Sequence, residues 1–349
     1  MATHRRRTLA GLVPLLIAVV LAGRLLPATP ARAAPPAITT IRYLNTRGQV
    51  DVFEIAQALG WFKDKGIRLE PEGYSQGGPE SLFAMASGSV DIAGAATPAI
   101  INAIAAGAKI IAVMGNGGVS RSVNSKFFVL ANSNIHSAAD LRGKSIAVNT
   151  LGAHLDYTVR EYLHDHGMKP DAVSLIAVPG PQLEEVLHHR QADVVAVGAW
   201  QTVFAGKIEA DGGARVLFTD YGVLGNIVLG SYAMEKSFIS RHLQAVREFV
   251  TLSARATDWA REHPAEAQKL VAEILKKRGD NPALARYWTG LGLRAHDLYT
   301  PRDAQFWIDV LVRAGRLEQG QLTPDDVETN RYNGFTELGV ERLRATRAE

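Results

Sequence analysis

From residue 38 onward, short apolar runs alternate with stretches whose apolar residues recur every three or four positions, the pattern of strands alternating with helices. Ile38 to Leu44 reads as a strand, Val50 to Leu59 as a helix stopped at Gly60, and Ile67 to Glu70 as a second strand. Gly77-Gly78-Pro79-Glu80 opens a helix whose apolar face is Leu82, Phe83, Met85 and Ala86, ending at Gly88. Val90 to Ala93 is a short buried strand, Thr97-Pro98 a helix start with Thr97 as N-cap, and Ile110 to Met114 another strand. Phe127 to Leu130 is a strand that runs into the polar turn Asn132-Ser133-Asn134, read as a crossover.

The same order then restarts. Strands are predicted at Lys144 to Asn149, Ser174 to Val178, Asp193 to Val197 and Val216 to Phe218, with helices at Leu155 to His164 and Gln182 to His189. Thr219 to Asn226 is a second polar stretch, leading back through Ile227 to Tyr232, and from Ser240 the chain is helical, with Thr300-Pro301 as a further helix start. The prediction is an α/β protein of two lobes. Each lobe is a mostly parallel sheet flanked by helices, and two hinge crossings join them. The lobes comprise residues 38–130 with 227–335, and 131–226, with a tail at 336–349. Ligands of such sheets bind beyond the carboxyl ends of the strands, so the cleft between lobes and its strand-end loops are the place to look for function.

Composition narrows the chemistry. The 349 residues include no cysteine, which excludes disulfides, thiol nucleophiles, Cys-type zinc sites and lipid attachment at an N-terminal Cys. Formal charge is +3, yet Arg5, Arg6, Arg7, Arg24 and Arg32 all fall in the first 33 residues, so the remainder is slightly acidic. Nucleic-acid binding loses its support. Those first residues read as a cleavable export signal at 1–33: a basic start, the apolar stretch Thr8 to Gly23, and Ala31-Arg32-Ala33 before the cut. The stretch is short for a membrane span and holds Pro14, which weighs against the alternative of a retained anchor. A loose twin-Arg pattern leaves the export route open.

Three strand-end loops run straight into helix starts: Gly77 to Glu80 with Gly78, Ala96 to Pro98 with Thr97, and Thr150 to His154 with Gly152 and Ala153. Each offers unpaired N–H groups and the positive end of a helix dipole, so their convergence would make an anion site without a charged side chain. The hydroxyls of Thr97 and Thr150 add donors, while Asn45, Arg47 and Arg121 stand in comparable loops. Ordinary capping and solvated arginines are the plainer reading of any one loop; the recurrence after successive strands favours a site. Trp200 follows the strand ending at Gly198 and suits either a cleft wall or a core. His164-Asp165-His166 and His188-His189 lack ligand spacing, so no metal and no cofactor are expected. No hydrolase, zinc-protease or P-loop motif occurs, and Gly115-Asn116-Gly117-Gly118 reads as a turn.

Taken together, these motifs resemble the periplasmic solute-binding proteins of ABC importers for sulfonates, taurine and nitrate, a group that includes binders of pyrimidine precursors. The likeness runs from Ile41 to Phe204: Arg42 to Phe62 with Gly48 and Gly60-Trp61-Phe62-Lys63, then Ser87-Gly88-Ser89-Val90-Asp91 with Thr97-Pro98, then Ala138 to Lys144, then Asn149 to Tyr157. It implies a two-lobe periplasmic-binding-protein fold, ligand contacts near Asn45, Gly48, Gly78, Thr97, Gly152, Ala153, His154 and Trp200, and permease transmembrane subunits as partners of a monomeric, periplasmic, non-catalytic receptor. One departure matters. The family often has an aromatic-acidic-Pro triplet where this chain reads Gly198-Ala199-Trp200, which removes a carboxylate that an amino group such as taurine's would need. The implied ligand is a small organic anion with an apolar or aromatic body. The alternatives are a heterocycle or pyrimidine stacked on Trp200, a small-molecule lyase on the same scaffold, and a regulator's effector domain, for which no helix-turn-helix precedes the lobes.

Overall fold

A computed structural model describes residues 38–336. The export signal expected at 1–33 and the tail beyond residue 336 lie outside the described residues. No described helix is long and apolar enough to cross a membrane.

The first lobe is built from β1 (Thr39–Thr46), α1 (Val52–Ala58), β2 (Ile67–Ser75), α2 (Gly78–Ala86), β3 (Ile92–Ala96), α3 (Thr97–Ala105) and β4 (Ile110–Val119). Strands β1 and β2 pair in parallel, and β10 (Ile227–Glu235) returns from the second lobe to lie antiparallel between β3 and β4. The Asp91 N–H, just before β3, donates to the Arg42 carbonyl at 2.9 Å and so ties the pair to the triplet. The Asp91 carboxylate meanwhile accepts from the Arg42 backbone N–H and, at 2.9 and 2.8 Å, from its guanidinium. Asp91, the last residue of the family-like stretch Ser87 to Asp91, thus serves the sheet. Pro71 is tolerated within β2 because that strand is the sheet's edge.

The second lobe holds β5 (Lys126–Leu130), β6 (Ser145–Val148), α4 (His154–Asp165), β7 (Ser174–Ala177), α5 (Leu183–His188), β8 (Val194–Val197), α6 (Thr202–Asp211), β9 (Ala214–Thr219) and α7 (Asp220–Leu224). Its sheet order is β7-β6-β8-β5-β9, with β5 antiparallel to both neighbours and the β6 pairings parallel. Each lobe therefore has one reversed strand, β10 in the first and β5 in the second, and each reversed strand is the one that has just crossed over. The chain leaves the first sheet after Val119, so β5, expected in the first lobe, pairs with β8 and β9 in the second sheet; the polar turn at Asn132 to Asn134 follows it there. Helices α8 (Lys236–Arg241), α9 (Leu243–Glu262), α10 (Pro264–Lys277), α11 (Pro301–Arg313) and α12 (Pro324–Val327) follow β10; α9 and α10 pack beside α1, and α11 beside α3.

Two further expectations are corrected. Gly115 to Gly118 is not a turn but the second half of β4. Glycine is needed there by crowding, since a Cβ on Gly118 would lie 2.2 Å from the Gly292 carbonyl oxygen in the strap behind the strand. Thr97 is not the N-cap of α3 but its first helical residue, the N-cap being Ala96.

Buried apolar residues cover both faces of each sheet. Phe53, Phe249 and Met114 centre one cluster of the first lobe, Ile100, Ile101 and Trp307 the other; Phe127 with Leu155 and Phe128 with Val195 centre those of the second. These cores hold the strand ends still while the loops beyond them face each other.

Candidate functional site

Three helices begin at the same cavity. Gly77, Ala96 and Ala153 are the N-caps of α2, α3 and α4, none makes a side-chain capping bond, and all three line one space between the lobes. Glycine and alanine have no side chain able to satisfy the first-turn N–H groups, so these donors and the positive dipole ends are left for another partner. Around them stand Thr46, Gln49, Asn116, Asn149, Thr150, His154 and Trp200, with Leu229 as an apolar contact. Among the described residues no Asp, Glu, Lys or Arg lines the space. The buried Asn116 Oδ1, Asn149 Oδ1 and His154 Nδ1 have no hydrogen-bond partner among the described residues.

The lobes are closed over this site. The cavity measures about 40 Å³, against roughly 300–1,000 Å³ for small-molecule pockets. A Cβ on Gly77 of the first lobe would stand 3.4 Å from both Asn149 and Thr150 of the second. The Gln201 Nε2 donates across to the Arg47 carbonyl at 2.9 Å, and Arg313 of α11 pairs with Glu161 of α4 at 2.6 Å.

Of the ten residues picked from sequence, five line the cavity: Gly78, Thr150, Ala153, His154 and Trp200. Thr97 adjoins it through Ala96, buried, with an unpartnered hydroxyl. The Gly152 N–H donates to Asp156 at 2.7 Å and is spent within its own turn. Gly48 packs against Phe204 at the lobe junction. The other two point elsewhere. The Asn45 amide donates to Glu54 at 3.1 Å in a separate pocket of about 480 Å³ beside α10, because β1 alternates and position 45 faces that side. The Arg47 guanidinium pairs with Asp280 at 2.6 Å and stacks 4.0 Å over Tyr74, leaving its carbonyl as the part nearest the junction. Arg121 lies 6.0 Å over the Tyr221 ring at the first crossing and does not line the cavity. Gln49, Asn116 and Asn149 also line the cavity and are not among those ten, although Asn149 opens the family-like stretch Asn149 to Tyr157 and Asn116 lies in the predicted turn. Asn149 stands directly before Thr150 at a strand end, which was signal enough; Asn116 was hidden by the glycines around it.

Behind the cavity are two buried polar assemblies. In the first lobe Gln49 Nε2 donates to Asp51 at 2.7 Å and contacts Tyr232 OH at 3.3 Å, while Arg278 donates to Glu54 at 3.0 Å. Burial, then the neighbouring Glu54 charge, pushes the Asp51 carboxyl up to about 7, against the pull of Tyr232 and Arg278. In the second lobe His154 Nε2 meets Asp220 Oδ2 at 2.8 Å, and Asp220 Oδ1 accepts the Ser125 N–H at 2.8 Å. Ser125 and Asp220 belong to the two crossings, so one carboxylate joins both hinge strands to the start of α4. Among the described residues no group of three His, Asp or Glu is placed to hold a metal ion.

Solved structures share this architecture. The periplasmic aliphatic sulphonate binding protein SsuA from Escherichia coli is similar with a TM-score of 0.65 at 16% identity, over 83% of this chain and 92% of that one. The alkanesulfonate-binding protein SsuA from Xanthomonas axonopodis pv. citri, solved bound to MOPS, matches at 0.64 and 21% identity over 84% and 99%. The desulfurization enzyme DSZB matches at 0.60 and 16% identity over 87% and 99%. At these identities the likeness establishes the periplasmic-binding-protein fold. No curated protein matches by sequence. The profile of one family does match, over residues 50–267, a span that contains every cavity-lining helix start and well over half of the chain: the protein belongs to the NMT1/THI5-like family.

Proposed function

We propose that the protein is the exported, non-catalytic solute receptor of an ABC importer, closing its lobes on a small organic anion with a sulfonate or carboxylate head and handing it to the permease subunits. The observation that carries the reading is the meeting of three uncapped helix N-termini, at Gly77, Ala96 and Ala153, in one cavity. Amide donors there would surround an anionic head, Thr150, Asn116 and Asn149 would add side-chain partners, and Trp200 would face the body of the ligand. The names of the two SsuA proteins support a sulfonate head. Because no carboxylate lines the cavity, an ammonium-bearing ligand such as taurine has no ionic partner. The closed cavity is too small for a whole ligand, so capture requires opening and reclosure, and only a ligand with higher affinity for the closed form shifts that equilibrium.

A second reading has its own support. Unpartnered acceptors on Asn116, Asn149 and His154 suit ring N–H groups, which favours a heterocycle stacked on Trp200. Thermal shift and calorimetry with pentanesulfonate, benzoate, taurine and uracil separate the two. The anion reading expects stabilisation by pentanesulfonate or benzoate and not by taurine. Stabilisation by uracil alone would replace it with the heterocycle reading.

A further inference from the structure

Asp220 and His154 are both completely buried, and their contact is 2.8 Å between Oδ2 and Nε2. An ionised carboxylate only accepts, so the proton between them sits on Nε2 and the ring's other nitrogen, Nδ1, is left to face whatever His154 meets. That nitrogen has no partner among the described residues, and His154 lines the cleft. With a single ring proton, Nδ1 presents a lone pair, which repels an anionic oxygen. With a second proton it presents an N–H and a positive charge.

We propose that His154 is, among the described residues, the cleft's one switchable cation, positioned by Asp220, and that capture of an anion takes up one proton from solvent onto Nδ1. The inference rests on the anion reading of the cleft. Its electrostatic basis is a count of buried charge. Asp220 and a bound anion would place two negative charges in a dry site with no Lys or Arg lining it; protonating His154 leaves a net of one and converts a repelling lone pair into a donor. The groups facing the imidazole leave that role to it. Asp220 comes from α7. On its own helix Asp156 is engaged by Arg160 and the Gly152 N–H, and Glu161 by Arg313. Helix α11 sets the Trp307 ring against it edge-to-face, the centroids 5.5 Å apart, with Asp303 of that helix held by Arg294. The Trp200 ring stands at 6.2 Å.

Asp220 is well placed to hold this arrangement through closure. Its second oxygen binds the Ser125 N–H, its own N–H donates to the Ser125 carbonyl at 3.1 Å, and Ser125 Oγ accepts from Ala199 N–H, beside Trp200, at 3.0 Å. The carboxylate is anchored to both crossings and does not follow a rotating side chain.

The test is calorimetry of pentanesulfonate, with benzoate in parallel, in Tris and in triethanolamine, cationic buffers of different ionisation enthalpy that carry no sulfonate. The expected result is uptake of about one proton per ligand and a Kd that weakens, by up to about tenfold per pH unit, as pH rises. His154→Gln should bind weakly at every pH and lose the slope. Asp220→Asn should keep the imidazole but weaken binding at neutral pH, and the wild-type proton count stands as the test if that variant does not fold. Binding with no proton uptake, or a slope that survives in His154→Gln, overturns the proposal while leaving the anion reading intact. Failure of both anions to bind at any pH overturns the anion reading and this proposal with it.

Discussion

Gly48 sits in the turn after β1, with φ of 74°, facing Phe204 of α6 across the lobe junction. A Cβ at this position would lie 2.5 and 2.7 Å from two carbons of the Phe204 ring. Gly48→Ala therefore carries two costs that separate experimentally. The left-handed backbone costs about 1–2 kcal/mol and is borne in open and closed forms alike. The overlap with the ring exists only when the lobes meet, and overpacking of this kind costs about 1–3 kcal/mol. The first term lowers Tm without touching affinity; the second opposes closure and should weaken ligand binding by about 5- to 150-fold. Calorimetry with whichever anion stabilises the wild type, beside thermal unfolding of the ligand-free variant, reads both terms. Adding Phe204→Leu should return most of the affinity and none of the backbone cost. A Gly48→Ala protein that binds as tightly as wild type, with only its Tm lowered, would show that closure does not bring these two residues together, and the description of the junction would fail.

Three other outcomes follow from named groups. Glu328 is buried, with one oxygen unpartnered, and burial followed by the Asp303 charge pushes its carboxyl up to about 9. The native state holds a proton that the unfolded chain sheds near pH 4.5, so stability is lost as pH rises between about 4.5 and 9; Glu328→Gln should gain about 2–3 kcal/mol at pH 7 and nothing at pH 4 in urea unfolding. An equal gain at both pH values would show that the cost is not one of ionisation. Thr97→Val removes a buried, unpartnered hydroxyl and should stabilise the fold by up to about 1 kcal/mol while weakening anion binding; stabilisation with unchanged Kd would take Thr97 out of the site. Ligand should change tryptophan fluorescence, and Trp200→Phe should abolish most of that change; a full signal in the variant would assign it to the other four tryptophans.

Periodicity revealed the alternation of strands and helices because each element buries its apolar face against its own sheet, a local property. Sheet membership is not local. The run Phe127 to Leu130 is equally apolar on either side of a crossing, and only its pairing with β8 and β9 assigns it to the second sheet. The glycines of β4 were misread for a related reason: composition alone does not distinguish glycine required by φ from glycine required by a neighbour, and Gly118 is of the second kind. Strand-end loops that open helices were legible, at Gly77-Gly78-Pro79 and at Thr150 to His154, which is why Gly78, Thr150, Ala153 and His154 line the cavity. Asn45 and Arg47 show where that reasoning stops. A strand-end position names a loop, not the side to which its side chain turns, and Glu54 and Asp280 claim both residues for the flank of the first lobe. The His154 to Asp220 contact joins positions 66 apart, beyond the reach of any spacing argument.

The division of donors between lobes bears on how such a receptor would release its ligand. Helices α2 and α3 start in the first lobe and α4 in the second, so on the receptor reading an anion is fully enclosed only while all three starts face one cavity. A lysine or arginine in one lobe would keep holding the anion after the lobes part, because its charge travels with that lobe. Backbone N–H groups shared between lobes behave differently: opening removes one of the three helix starts together with His154, and water reaches the remainder. Affinity is then nearly all a property of the closed state, which is what a carrier that must bind in solution and let go at a membrane requires.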